Sequence, residues 1–109
     1  MSIDEPIFRP ILITKGRKTG REHRVELRAV SHNGKVYFSR HRPDSDWFKN
    51  AITNPIVKIQ YKNKIFIGTA RRVIDEKMDA LISELKYPGE ERAKEKRVTI
   101  EVTFNENLV

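Results

Sequence analysis

Apolar and polar positions alternate with a period of two along most of the chain, which is typical of β-strands that bury one face. The clearest stretch is 22–31, where Val25, Leu27 and Ala29 share one face and charged side chains occupy the other. Six stretches are predicted to be strands on this pattern. They are residues 7–13, 22–31, 35–39, 56–61, 64–73 and 98–104.

Turn residues join four of these stretches into two hairpins. Asn33-Gly34 lies between the second and third strands, and this dipeptide is the strongest short hairpin signal because both residues accept positive φ. Lys62-Asn63 joins the fourth strand to the fifth. Pro10 interrupts the first strand, which favours an edge position because proline cannot donate to the ladder.

The alternation also predicts which side chains of the later strands face the core. In the second hairpin the inward set comprises Val57, Ile59, Tyr61, Ile65, Ile67 and Thr69. In the last strand Val98, Ile100, Val102 and Phe104 are expected inside, and Thr99, Glu101 and Thr103 outside.

Two stretches have the helical period instead. A short helix is expected to begin at Asp44 or Ser45 and to end before Pro55, and a longer one to run from its cap at Asp75 to Lys86, before Tyr87-Pro88-Gly89. Their apolar faces comprise Trp47, Phe48, Ala51 and Ile52 in the first, and Met78, Leu81, Ile82 and Leu85 in the second.

These elements predict a mainly β (α+β) fold, a closed or nearly closed six-stranded antiparallel barrel with two helices, since closure removes sheet edges. The length of 109 residues is enough for one core, so residues 1–109 are interpreted as a single domain. Residues 1–6 are expected to form a disordered arm.

The net charge of the chain limits the classes of partner to be considered. The net charge of +7 and the pI of about 9.9 predict an anionic partner, for which a phosphorylated cofactor, nucleic acid and a membrane surface are candidates. The absence of cysteine excludes disulfides and thiolate chemistry. No apolar run is long enough to span a bilayer, and the N-terminus lacks the pattern of a signal peptide, which favours a cytoplasmic protein.

The basic connection 14–24 between the first two strands is the best candidate for chemistry. Five of its eleven residues are Lys or Arg, and Gly16 and Gly20 bracket Arg17, Lys18 and Thr19. Backbone amides freed by glycine, a hydroxyl and clustered cations are the groups that bind a phosphate. A solvated basic turn explains the same residues equally well.

Two segments resemble the signature motifs of the deazaflavin-dependent nitroreductase family. Residues 14–20, T-K-G-R-K-T-G, are similar to T-x-G-R-K-S-G, and residues 47–55, W-F-K-N-A-I-T-N-P, are similar to W-Y-x-N-L-x-x-N-P. The resemblance implies a split β-barrel, related to the pyridoxamine-phosphate-oxidase-like proteins that bind flavin mononucleotide (FMN). It also implies an enzyme that transfers a hydride from a reduced 5-deazaflavin coenzyme, coenzyme F-420, to a quinone-like, nitro or other conjugated acceptor.

The resemblance also implies roles for individual residues. Arg17, Lys18, Thr19 and Gly20 would hold the phosphate of the coenzyme, with Arg24 supplying a cation that family members carry at His23. Ser39 and Arg40 would run beside the tricyclic ring. Trp47 and Asn50 would lie on the short helix that covers the site. No catalytic side chain is implied, because a reduced deazaflavin donates the hydride from its own ring.

Departures from the family pattern affect substrate choice first. Thr19 replaces serine and keeps the hydroxyl, Glu26 stands where proline is usual, and the N-terminal helix of the family is not expected from this sequence. A purely structural role would also explain several of these residues. Trp47 would suit core packing, Asn50 a bond to nearby backbone, Ser39 an outward strand position and Arg40 a solvated loop.

Two other functions remain open on the sequence. The same barrel could hold FMN or haem in place of the deazaflavin, and a small basic barrel could bind single-stranded nucleic acid by stacking. The second is less favoured because the cations concentrate in one loop instead of crossing a sheet face. A metal site is not expected, since His23, His32 and His41 form no helical pair. The family resemblance implies a small-molecule substrate. The protein is expected to be a monomer or a homodimer.

Overall fold

The computed structural model of the protein describes residues 6–40, 44–95 and 97–105. One antiparallel sheet contains all the strands of this part of the chain, in the order β1-β4-β5-β8-β7-β6-β2-β3. The strands are β1 (Ile7–Phe8), β2 (Ile11–Lys15), β3 (Glu22–Glu26), β4 (Ala29–His32), β5 (Lys35–Arg40), β6 (Ile56–Tyr61), β7 (Lys64–Val73) and β8 (Val98–Phe104). The helices are α1 (Asp46–Thr53) and α2 (Glu76–Lys86), followed by a 3-10 turn at Glu91–Lys94.

The mainly β barrel with two helices is confirmed, but the described residues form eight strands where the sequence predicted six. Two predicted strands each bend into two short ones, the first at Arg9-Pro10 and the second at Leu27-Arg28. The amide of Leu27 donates to the carbonyl of Pro10 (3.1 Å) across this corner. Because β1 pairs with β4 and β2 with β3, the bent pair connects the two ends of the sheet and curls it into a half-barrel.

Local signals placed the turns and helix starts correctly. Asn33 and Gly34 have φ of 51° and 76°, as the predicted hairpin requires. Helix α1 follows Ser45, one of its two predicted starts, and the Asp75 carboxylate caps α2 by accepting from the amide of Lys77 (2.9 Å). The expected arm at 1–6 and most of the 40–44 connection lie outside the described residues. Pro6, however, is described, and its carbonyl accepts from the amide of Ser31 (2.9 Å).

The predicted inward face of β7 is wrong. Ile65 and Ile67 are 58% and 37% exposed and Thr69 is also exposed, whereas Gly68 and Ala70 are buried. The two-residue turn places Tyr61 opposite Lys64, so the even-numbered positions of β7 share the face of Ile59. Turn geometry therefore overrides hydrophobicity here. The main core comprises Phe8, Leu12, Ala29, Val36, Phe38, Trp47, Phe48, Ala51, Val57, Ile59, Ala70, Ile100 and Val102.

Helix α2 covers the other face of the sheet, against β4, β5, β7 and β8. Its contacts form a second apolar cluster of Val30, Tyr37, Val73 and Ile82, with Met78 and Leu85 at the edge. The helical faces were predicted one residue too wide, because Ile52 and Leu81 are exposed. Neither helix of the described chain has the length and apolar character that crossing a membrane requires.

Glu101 and Thr99 were predicted to face solvent, but both are buried because the face opposite the main core is also covered. The Glu101 carboxylate accepts from the Tyr37 hydroxyl (2.8 Å) and from Arg71 Nε (2.9 Å). Burial alone would raise the pKa of Glu101, but these hydrogen bonds and the nearby Arg71 and Lys35 charges outweigh it and hold the pKa below its ordinary value.

Candidate functional site

The connection between β2 and β3 is a tight loop closed by its own backbone. The amide of Gly16 donates to the carbonyl of Arg21 (2.7 Å), and the amide of Gly20 donates to the carbonyl of Gly16 (2.9 Å). Gly20 has φ of 74°, a left-handed conformation that glycine adopts without strain. The loop at 16–21, called the basic loop below, is therefore a preformed turn.

Asn50 joins this loop to helix α1. Its side chain is 1% exposed, and Oδ1 accepts from both the backbone amide (3.3 Å) and Nη1 (2.8 Å) of Arg17. On its other side, Asn50 Nδ2 donates to Thr14 Oγ1 (3.4 Å). Arg17 also reaches the Asp46 carboxylate at the start of α1 (3.3 Å). Because these contacts span β2, the basic loop and α1, they fix the helix over the loop.

A cavity of about 250 Å³ opens between the basic loop and α1. It is lined by Gly16, Arg17, Lys18, Thr19, His23, Asp46 and Asn50. Within the described part of the chain, the backbone amides of Lys18 and Thr19 donate to no protein atom, and the Lys18 ammonium has no hydrogen-bond or ion-pair partner. Free amides beside an unpaired cation are the donor set that a phosphate group requires, so these residues fit a phosphorylated ligand.

The structure brings together four of the residues singled out from the sequence, namely Arg17, Lys18, Thr19 and Asn50. Gly20 is outside the cavity lining and closes the loop through its amide, which donates to the Gly16 carbonyl. Arg24 lies outside the cavity lining, on the exposed part of β3, and its guanidinium hydrogen-bonds Gln60 Oε1. Its assignment to the phosphate therefore has no contact that supports it.

Trp47 belongs to the main core. Its ring lies 6.4 Å from Phe38 and 6.0 Å from Phe48 between centroids, and its indole Nε1 is buried with no partner among the described residues. Core packing is thus one role of Trp47. The unpartnered donor leaves a second role open, since buried indole N–H groups are normally hydrogen-bonded.

Three cavity residues, Gly16, His23 and Asp46, were not among the site residues assigned from the sequence. His23 lies over Gly16, where an added Cβ would come within 2.7 Å of its Nε2, so a larger residue at this position would displace the exposed ring. Asp46 balances part of the Arg17 charge. The only sequence signal for Asp46 is an acidic residue in the first turn of α1. Its partner lies 29 residues away, which no local pattern reveals.

Ser39 faces away from the main core, toward α2. Its neighbour Phe38 packs on Trp47, and successive strand residues point to opposite faces. The buried Lys86 ammonium donates to the Ser39 carbonyl (2.8 Å) and lies 3.4 Å from its hydroxyl. Arg40 follows at the exposed end of β5. Helix α2 therefore contacts Ser39 directly through Lys86.

Lys86 should make stability depend on pH. Burial, followed by the charges of Arg97, Arg28, Arg40 and Arg92, lowers its pKa from 10.5 to about 8. Between these values the unfolded chain binds more protons than the native one, so unfolding free energy rises with pH, by at most about 1.4 kcal/mol per pH unit.

The measurement is urea unfolding at intervals from pH 7 to about 9.5. We expect the stability of the wild type relative to Lys86→Met to increase across this range. Above pH 10 Tyr37 acts in the opposite sense, because burial and its bond to Glu101 raise its pKa to about 12 and the native state retains that proton. A difference between the two proteins that does not change with pH would contradict the assignment.

Comparisons with known proteins indicate the family and the fold. The chain matches the family described as F420H(2)-dependent quinone reductase over residues 6–106. No curated protein matches it. Among solved structures, a protein described as F420-H2 Dependent Reductase (FDR-A) is 25% identical with a TM-score of 0.68, and the match covers 94% of this chain and 97% of that one.

Two further solved structures are similar. A protein described as a domain-swapped dimer is 25% identical with a TM-score of 0.69, over 94% of this chain and 83% of that one. A conserved hypothetical protein from Mycobacterium tuberculosis has a TM-score of 0.74 at 17% identity, over 89% of this chain and 72% of that one. At that identity the second likeness supports the fold alone.

Proposed function

Because the chain belongs to the F420H(2)-dependent quinone reductase family, and is thus an oxidoreductase that uses the reduced deazaflavin coenzyme, we propose that it reduces a quinone-like, nitro or other conjugated acceptor. The observation that carries the proposal is the cavity beside the basic loop, where no described residue pairs with the Lys18 ammonium or accepts from the backbone amides of Lys18 and Thr19. We assign this cavity to the phosphate of the coenzyme.

The chain's own residues bind and orient the coenzyme in this proposal. Lys18 supplies charge to the phosphate, and Thr19 retains a hydroxyl hydrogen to donate, since its oxygen already accepts from the amide of Arg21 (3.3 Å). Asn50 is a positioning residue, because it holds the backbone and guanidinium of Arg17 in place. Gly20 allows the turn. Each charge-assisted hydrogen bond to the phosphate is worth about 1.5–3 kcal/mol.

The tricyclic ring is proposed to lie between Trp47 and the end of β5. The buried indole N–H of Trp47 has no partner among the described residues and Arg40 is exposed there, and both features support this placement. Ser39 would affect the ring only indirectly, because its carbonyl and hydroxyl already contact the Lys86 ammonium. When bound, the reduced coenzyme supplies the hydride from its own ring, so the protein needs no acid–base pair for that step.

We further infer that the chain forms one domain over residues 1–109 and acts as a monomer or a homodimer. The relative described as a domain-swapped dimer supports the homodimer. A small-molecule acceptor is the expected partner in either case.

Titration of the purified protein tests this function, with Trp47 as the signal because it is the single tryptophan. We expect saturable quenching by coenzyme F-420 and none by FMN at equal concentration. We also expect the protein to accelerate oxidation of the reduced coenzyme by a neutral naphthoquinone, followed by the returning visible absorbance of the oxidised coenzyme. Binding of FMN without binding of the deazaflavin would overturn the proposal in favour of a flavin protein.

A further inference from the structure

Four cations surround one aromatic ring at the end of helix α2. The guanidinium carbons of Arg92, Arg97 and Arg28 lie 4.0, 4.7 and 5.1 Å from the centroid of Tyr87, and the Lys86 ammonium lies 5.3 Å from it. These five residues, called the Tyr87 cluster below, connect α2, the 3-10 turn and the β3–β4 corner. Attraction to the ring face offsets part of their mutual repulsion.

The cluster contains more positive charge than its neighbours balance. Among the described residues, Arg92 pairs with Glu90 (3.0 Å) and Arg97 only approaches Glu95 (4.0 Å). Arg28 donates to the backbone carbonyl of Lys86 (3.3 Å), and none of the described carboxylates pairs with Lys86. In the described part of the chain, two carboxylates therefore lie against four cations, which leaves an electropositive surface that attracts anions.

Two of the cations are buried, which makes the excess charge costly. Lys86 is 6% exposed, and the Arg97 side chain is 5% exposed with an Nε–H that has no partner in the described chain. Desolvation and the surrounding arginines lower the pKa of Lys86 to about 8. An anion bound here would relieve that repulsion and fill the open donor of Arg97.

The cluster also adjoins the end of β5 that the proposed function places beside the coenzyme ring. Lys86 bonds to Ser39, and Arg40 is close enough to contribute to the lowered pKa of Lys86. The basic loop, by contrast, meets α1 at Asn50 and Asp46 and not α2. The Tyr87 cluster is thus a different cationic region from the basic loop, which is assigned to the coenzyme phosphate, and it has no assigned ligand.

We propose that the Tyr87 cluster binds an anionic group of the hydride acceptor, so that the preferred acceptors are conjugated rings bearing a carboxylate, sulfonate or phosphate. This inference rests on the proposed function. In the reaction, a quinone acceptor gains the hydride and one proton from solvent and becomes a hydroquinone, while the reduced coenzyme becomes oxidised. The anionic substituent takes no part in the electron balance and serves only for binding.

Steady-state kinetics with a matched pair of acceptors, naphthoquinone and naphthoquinone sulfonate, test the proposal. Arg92→Ala removes an exposed member of the cluster, and Lys94→Ala removes an equal charge from the same turn, outside the cluster. We expect Arg92→Ala to raise KM for the sulfonate about tenfold and to leave KM for the neutral quinone unchanged. Lys94→Ala should change neither. Equal changes of KM for both acceptors in Arg92→Ala would overturn the proposal.

A binding measurement without coenzyme separates this inference from the proposed function. Naphthalene sulfonate is titrated into ¹⁵N-labelled protein, with naphthalene methylammonium as the matched cation, and the arginine Nε–H resonances are followed. We expect the sulfonate alone to shift Arg97, with weaker binding at high salt. Shifts without turnover of any quinone would retain the anion site and reject the reductase. Turnover without an Arg97 shift would retain the reductase and reject the anion site.

Discussion

Substitution of Gly68 by alanine should destabilise the fold by about 3 kcal/mol, the upper part of the range for overpacked cores. A Cβ at this position would lie 2.6 Å from Val102 Cγ1 and 2.8 Å from the Thr103 carbonyl oxygen. Thr103 belongs to the neighbouring strand, so its carbonyl cannot move without breaking the β7–β8 ladder. For a chain of this size the loss corresponds to a fall in Tm of more than about 10 °C.

Thermal unfolding followed by far-ultraviolet circular dichroism measures this effect. Lys64→Ala is the matched control on the same strand, because Lys64 is exposed and surface substitutions usually change stability by less than about 0.5 kcal/mol. If Gly68→Ala unfolds within about 2 °C of the control, the close approach of β7 and β8 is not as described.

Features governed by neighbouring residues were predictable from the sequence. Asn33-Gly34 specified its hairpin because both residues adopt positive φ, and Asp75 marked the start of α2 because its carboxylate reaches the amide of Lys77. The helix-covered sheet that buries Glu101, in contrast, depends on strand order. The alternation of β8 gave no sign that both of its faces are covered.

The candidate site divides in the same way. The basic loop could be located from its glycines and cations alone. The role of Asn50 could not, because its bonds to Arg17 and Thr14 join residues 33 and 36 positions apart. The contact between Lys86 and Ser39, 47 positions apart, gave no signal in the sequence either, which predicted only the bounds and the apolar face of α2. Long-range polar contacts of buried side chains have no periodicity from which to infer them.

Substitution of Lys18 by glutamate should weaken binding of the deazaflavin coenzyme at least tenfold. Lys18 is exposed at the cavity and pairs with none of the described residues, so its ammonium can meet the phosphate, and a glutamate would add repulsion to the lost attraction. The loop itself should keep its shape, because its closing bonds involve Gly16, Gly20 and Arg21 and its tie to α1 involves Arg17. The loss should therefore appear in binding and not in stability.

The basic loop as the phosphate site is tested most directly by the dissociation constant of the coenzyme, measured by Trp47 fluorescence for wild type, Lys18→Glu and Lys64→Glu. Lys64→Glu makes the same charge change at the β6–β7 hairpin, away from the residues that line the cavity. We predict a dissociation constant at least tenfold higher for Lys18→Glu and within about twofold of wild type for Lys64→Glu. Equal dissociation constants for all three proteins would contradict the assignment of the phosphate to this loop.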